Sequence, residues 1–258
     1  MTRLKDLNWL WSALIILGFF VFWELMCLVT GIPDFILPRP SEFVVVLIEQ
    51  FHGIRRHGLQ TLMTTTTGFA GGVLAGVVIG AIIGSSKVLY NACYPMLVGF
   101  YSIPKVALVP VFVVWFGIGT VPAILTSLVI CIFPVVVNVA TGLATTEPEL
   151  EDVLRALGAS KLDILWHVGL PRSLPYFFAS LKIAITLSFV GTVVSETVAA
   201  NLGIGSMMVL ASSDFNMPLV FAGLVLLASM GIGLYACFAV LERRLTGWAQ
   251  RKTEFVSG

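Results

Sequence analysis

Few residues in this sequence are arranged for covalent chemistry. The four cysteines, Cys27, Cys93, Cys131 and Cys237, stand singly inside apolar runs without the C-x-x-C spacing of a metal or redox site. The histidines His52, His57 and His167 fall outside any Glu-x-x-His pattern, so no metal ligands are expected. No G-x-x-x-x-G-K-[ST] loop and no nucleophile–base pair occur, so neither catalytic residues nor P-loop ATP hydrolysis are expected of the chain itself. What remains are polar groups embedded in apolar runs. Lys105 lies beside Pro104, and Glu196 follows Ser188, Thr192 and Ser195, which share one helical face at spacings of four and three. A charge at the centre of a membrane helix costs about 2.5–3.5 kcal/mol on insertion scales, so such residues are usually paired or functional. Two readings stay open for the stripe Ser188, Thr192, Ser195 and Glu196: it lines a translocation path, or it hydrogen-bonds a neighbouring helix. Lys105 either attracts an anion or pairs with Glu196 or backbone carbonyls. Glu24 and Lys182 lie nearer the ends of their apolar runs, where they reach the interface or snorkel to it.

The elements that must hold these residues follow from composition. Of 258 residues, 58% are hydrophobic and only 11% charged, with a mean hydropathy of +0.99. A soluble domain carries about 25% charged residues, so lipid must solvate much of this surface. Six stretches reach the ~20 apolar residues a membrane helix needs: Trp9–Thr30, Leu62–Gly84, Tyr90–Phe116, Pro122–Leu143, Pro175–Val198 and Pro218–Leu241. The first is too long for a signal-peptide core and lacks an A-x-A cleavage pattern, so it reads as a retained span. Polar segments Gly31–Thr61, Ala144–Leu174 and Ala199–Met217 separate the spans. With both termini in the cytoplasm, ten basic residues face inward (Arg3, Lys5, Lys87, Arg155, Lys161, Arg172, Arg243, Arg244, Arg251, Lys252) against Arg39, Arg55 and Arg56 outside. The block Arg55-Arg56-His57 reads as a solvated outer patch. The glycine-bearing stretch from Asn201 to Asp214 reads as an outer loop dipping toward the pore.

Two spans carry special patterns. Gly68, Gly72, Gly76, Gly80 and Gly84 recur at every fourth position of the second, making a groove for close helix packing, within the chain or against a second copy. Pro95, Pro104 and Pro110 interrupt the third, as in broken helices lined by protein or water.

Between the fourth and fifth spans, Pro148 suits a first helical turn, with acids around it complementing the helix dipole. Leu150, Val153, Leu154 and Leu157 then share a face, Gly158 stops the helix, and Ser160 with Asp163 starts a second short helix through Trp166. Pro171 and Pro175 mark the return to the membrane. A structured cytoplasmic helix pair of this kind exposes a face that binds a partner or lies on lipid headgroups.

This segment resembles the coupling loop of the permease subunits of ABC importers, whose pattern is E-A-A, three residues, G, nine residues, I-x-L-P. Here Asp152-Val153-Leu154 is followed after three residues by Gly158 and, nine residues on, by Val168-Gly169-Leu170-Pro171. Asp for Glu and Val for Ile are mild departures; Leu154 replaces a smaller alanine. The resemblance extends over nearly the whole chain and is most specific to the nitrate/sulfonate/taurine-type branch. Phe35-Ile36-Leu37-Pro38-Arg39-Pro40-Ser41 is similar to that branch's LP-x-PS segment. Ser102-Ile103-Pro104-Lys105-Val106-Ala107-Leu108-Val109-Pro110, ending in Trp115-Phe116-Gly117-Ile118-Gly119, resembles its third span.

The resemblance implies an all-α integral membrane protein with six transmembrane helices and a cytoplasmic coupling helix pair, the type I importer permease fold. It implies one permease domain over 1–258, with a core at 62–241 that includes the loop 144–174. Glu151, Asp152, Val153, Leu154, Arg155, Ala156, Leu157, Gly158, Ala159 and Ser160 would dock on the ATPase, present in two copies. ATP and Mg would be held by that partner, with no cofactor on this chain. A second permease copy, a periplasmic or lipid-anchored substrate-binding protein and membrane lipids are the other partners implied, without nucleic acid. The localisation implied is the bacterial inner membrane. The solute would be small and in many cases anionic: nitrate, sulfonate, taurine or a related compound. The alternatives are an ion-gradient-driven secondary transporter, which predicts inverted repeats and acids at the midplane, a membrane enzyme and a structural assembly protein.

Overall fold

The computed structural model describes residues 2–144 and 156–250. In chain order its helices are α1 (Thr2–Thr30), α2 (Pro40–Glu49), α3 (Phe51–Gly84), α4 (Lys87–Ser102), α5 (Val109–Phe116), α6 (Thr120–Ala144), α7 (Lys161–Ile164), α8 (Leu170–Ala199), α9 (Ile204–Ser213) and α10 (Met217–Gln250). The fold is all-α. Among the described residues five helices are long and apolar enough to cross a membrane, or six when the bent pair α4 and α5 is counted as one span.

The centre of the bundle is α3, α6 and α8. The glycine stripe of α3 faces α6 of the same chain. A β-carbon on Gly76 would stand 2.7 Å from Val135 Cβ, and one on Gly80 2.8 Å from Val139 Cβ. Gly72 and Gly84 press on the carbonyls of Leu128 and Ala140, each 2.8 Å from such a carbon, and Gly68 meets Ser127. Backbones this close gain dispersion contacts that lipid cannot supply. Phe69, Cys131, Val135, Phe178, Leu181 and Ile185 fill the core that results.

The third span breaks where its prolines dictate. Pro104 drives Ile103 into an extended conformation (φ −70, ψ 130). A 3-10 turn over Lys105–Leu108 follows, and Pro110 sits in the first turn of α5, where its missing N–H costs nothing. The two halves are bent by 75°. Pro95 lies inside α4 without ending it.

Several boundaries differ from the sequence reading. α3 starts at Phe51 rather than Leu62, so it absorbs the Arg55-Arg56-His57 block. α8 starts at Leu170 and runs through Pro171 and Pro175 without a break, its span-length apolar stretch beginning at Pro171 as the prolines suggest, and a π-helical turn at Leu165–Gly169 joins α7 directly to it. The expected dipping loop is instead largely the helix α9. Apolar spacing explains this last difference, since Ile204 and Met207 pack on Ile54, with Leu226 and Met230 of α10 against them.

The helices α2 and α9, the start of α3 and the Gly117–Thr120 turn gather at one end of the bundle. The Gly119 N–H donates to the Ala199 carbonyl at 2.9 Å, and Gln60 donates to Thr120 at 3.1 Å. α1 leans on this end through Trp23, whose ring centroid lies 5.7 Å from Phe43 and 5.5 Å from Phe221, and through the buried Cys27, while most of its apolar side chains from Leu10 onward are exposed. The segment bearing Gly158 and α7 emerges from the opposite end.

Candidate functional site

Sequence reasoning proposed two regions, and the bundle separates them to its two ends. At the loop end, Glu151, Asp152, Val153, Leu154 and Arg155 lie outside the described residues. Ala156 is helical, and Gly158 adopts φ +87, a left-handed conformation in which a β-carbon would be strained. Ser160 and Asp163 form a reciprocal cap. The Ser160 N–H donates to Asp163 Oδ2 at 3.0 Å and its hydroxyl to the same oxygen at 2.5 Å, while the Asp163 N–H donates back to Ser160 Oγ at 3.2 Å. These bonds from Ser160 hold the Asp163 carboxyl below the usual carboxylate range. Leu157 and Trp166 are 79% and 66% exposed, so this end presents apolar side chains that the other described residues leave uncovered.

At the other end, Ser188, Thr192, Ser195 and Glu196 are all buried between α8 and its neighbours. The Ser188 hydroxyl meets that of Ser127 on α6 and donates to the Thr65 carbonyl on α3 at 3.5 Å. Glu196 Oε2 accepts from the Thr61 hydroxyl at 2.9 Å and from the Gly205 N–H at 3.1 Å. Thr61 Oγ1 in turn accepts from the Ile204 N–H at 2.9 Å. The Nδ1 of His57 stands 2.9 Å from the Gly203 carbonyl oxygen and 3.2 Å from its nitrogen. Glu196 Oε1, Ser195 Oγ, Thr192 Oγ1 and Thr65 Oγ1 are buried without a hydrogen-bond partner among the described residues. In this conformation the stripe therefore sits in a seam between helices, closed to solvent.

Lys105 does not join this group. Its ammonium lies 3.4 Å from the Ile103 carbonyl and 5.0 Å from the centroid of Phe133, at the bend of the broken span. Glu196 takes its hydrogen bonds from Thr61 and Gly205 instead. Lys182, expected to snorkel, is held by Glu242 of α10 at 2.5 Å. Glu24, expected at the interface, accepts from Ser41 N at 3.0 Å and Ser41 Oγ at 2.8 Å, tying α1 to the first turn of α2. Among the described residues no cluster of His, Cys, Asp or Glu could hold a metal ion.

Thr61 has no role in the sequence reading, which places His57 in a solvated patch and Gly203 and Gly205 in a dipping loop rather than beside Glu196. A signal was present: Thr61, Thr64, Thr65 and Gly68 repeat on α3 the three- and four-residue spacing of the stripe on α8.

Residues 72–247 match the family model of the binding-protein-dependent transport system inner membrane component, and the chain belongs to this family. It is 30% identical over 241 residues to the formylaminopyrimidine transport permease of Halalkalibacterium halodurans, a match covering 93% of this chain and 96% of that protein. The taurine transport system permease of Escherichia coli is 30% identical over 176 residues, or 68% of this chain and 64% of its own length. Among solved structures, the MetNI methionine ABC transporter in an inward-facing conformation superposes with a TM-score of 0.65 at 22% identity, over 76% of this chain and 98% of that one. The protein is thus the multi-pass, non-catalytic permease of an ABC importer in the inner membrane, of the nitrate/sulfonate/taurine-type branch, with the ATPase on a separate chain. An ATPase and a substrate-binding protein are its partners. An ion-gradient-driven transporter is disfavoured by the same findings.

Proposed function

We propose that two copies of this chain, single-domain over 1–258 with the core at 62–241, form the pathway for a small polar or anionic solute above two ATPase subunits. Loading by the binding protein would take place at the end formed by α2 and α9, which faces outward. Both termini and the segment 144–174 then lie in the cytoplasm, as the ten-to-three division of basic residues favours. The observation that carries this reading is the capped turn at Gly158–Asp163. It projects exposed Leu157 and Trp166 from the end of the bundle opposite α9, where an ATPase would bury them. Closure of the two ATPase subunits would push the coupling segments, Glu151 to Ser160, and rock the spans between inward and outward states. The exposed apolar length of α1 supports contact with membrane lipid.

For the solute, the relatives named for taurine and formylaminopyrimidine support a small compound with hydrogen-bonding or charged groups. Lys105 is the candidate for attracting an anion, with Ser188, Thr192, Ser195 and Glu196 flanking the path rather than forming its open wall.

The test is purification of the tagged chain from its own host in mild detergent. A co-purifying P-loop ATPase that is lost on deletion of Glu151–Gly158, together with loss of transport-coupled ATPase stimulation, is the expected result. Undiminished stimulation in the deletion variant would remove the coupling assignment. Unchanged anion uptake by Lys105→Ala would remove Lys105 from the path.

A further inference from the structure

The helix α9 is fastened to the bundle through three consecutive residues at its start, and the fastening side chains come from α3 and α8. His57 meets Gly203, Thr61 takes the Ile204 N–H, and Glu196 takes the Gly205 N–H while also binding Thr61. Gly203 adopts φ +136, and its α-carbon lies so near the Glu196 carboxyl that a β-carbon there would overlap it. Besides these bonds, α9 packs through Ile204 and Met207 against Ile54, Leu226 and Met230, through Met208 against Gly223 of α10, and through Gly205 close to the Val193 carbonyl of α8. Apolar contacts of that kind are non-directional and let a short helix slide or roll. Hydrogen bonds that one carboxylate oxygen accepts from two elements fix position and direction together. Burying an acid in a membrane protein is costly, and Glu196 is 2% exposed with Oε1 unpartnered among the described residues. Packing alone would be served by an apolar side chain of the same size.

We propose that Glu196 is a positioning residue for transport, a clamp that locks α9 to α3 and α8 so that a load placed on α9 by the binding protein moves both helices as one body. Thr61 is the second jaw. The proposal rests on α9 facing outward, as in the functional reading above, and its test separates the two.

The complete importer, with its ATPase and the binding protein of its own host, is reconstituted in lipid nanodiscs with wild-type, Glu196→Ala, Glu196→Gln and Thr61→Val permeases. The ratio of binding-protein-stimulated to basal ATPase activity falls at least tenfold in Glu196→Ala. Glu196→Gln stays within twofold of wild type, because its amide oxygen still accepts from Thr61 and Gly205. Backbone amides at 204–207 exchange with deuterium at least tenfold faster in Glu196→Ala, while those in the middle of α6 are unchanged. If Glu196→Ala does not assemble, Thr61→Val carries the same comparison. A wild-type ratio in Glu196→Ala or Thr61→Val overturns the clamp. So does a Glu196→Gln ratio as low as that of Glu196→Ala, which assigns the role to the charge. Orientation is read independently by labelling Ser213→Cys in intact cells with a maleimide that cannot cross the membrane, against the unsubstituted chain as background. Absence of labelling removes the outward placement of α9 and with it the route by which the binding protein loads the clamp.

Discussion

Lys182 on α8 and Glu242 on α10 meet at 2.5 Å, with side chains 21% and 13% exposed. Removing one partner of a fully buried pair costs about 3–5 kcal/mol, mostly because the other charge is stranded. Partial exposure here lowers the expected cost of Lys182→Ala to about 1–3 kcal/mol. The double variant Lys182→Met with Glu242→Leu strands no charge and is expected to recover most of that loss. Thermal unfolding of the detergent-solubilised permease gives the comparison; a double variant as unstable as the single one would show that the ion pair itself, rather than the avoidance of a stranded charge, holds α8 on α10.

The α3–α6 contact depends on glycine at specific positions. Gly76→Ala would place its new carbon 2.7 Å from Val135 Cβ and 3.1 Å from the Ile132 carbonyl, so the helices must separate. The expected loss is about 1–3 kcal/mol, as for other overpacked cores. Gly53 on the same helix has nothing within 4 Å of such a carbon. Gly53→Ala is therefore expected to be neutral or to stabilise by up to about 1 kcal/mol through helix propensity. Equal melting temperatures for the two variants would mean that the stripe is not a packing face.

These two cases mark what sequence could and could not carry. The glycine period, the apolar spans and the Gly158 turn are local patterns, and each appears in the structure at the residues that display it. The break at Pro104 is local too, because the proline restricts its own neighbour. Partners across helices are not local. Nothing in the neighbourhood of Lys182 points to Glu242, sixty residues on, and the bond from Thr61 to Glu196 spans a still longer separation. The α9 helix was missed for a related reason: ten residues are too few to show a clear helical period, and its stability comes from Ile54 and from α10. Pro175 reads as a boundary, as a proline early in a long helix does, while here the helix continues through it.

Glu24 gives a prediction at the edge of the bundle. Its carboxylate accepts from the Ser41 N–H at 3.0 Å and from the Ser41 hydroxyl at 2.8 Å, so it caps α2 from another helix. Such caps are worth about 0.5–2 kcal/mol. Since α1 otherwise touches the bundle mainly through the Trp23 aromatic cluster and the buried Cys27, Glu24→Ala is expected to loosen α1 without affecting the α3–α6–α8 core. Limited proteolysis in the segment 31–39 should become faster while the main melting transition stays in place. A lowered main transition would show that α1 is part of the cooperative core.

The cap at Asp163 makes the loop end respond to acid in a defined direction. Ser160 donates two hydrogen bonds to this carboxylate and so favours its ionised form, placing its folded pKa below the unfolded value of about 3.9. A group with a depressed folded pKa contributes stability that is fully present above the unfolded pKa and is lost as pH falls through the folded one. The cap should thus be constant through the neutral and mildly acidic range and weaken only below about pH 3.9. Asp163→Asn removes the charge at every pH, so amides 160–164 should exchange several-fold faster in this variant at pH 7. The difference from wild type should narrow toward pH 3, where protonation removes the same charge from the native side chain. A gap between the two proteins that stays constant from pH 7 to pH 3 would mean that the Asp163 charge does not hold the start of α7, and that the turn at Gly158 fixes the segment by itself.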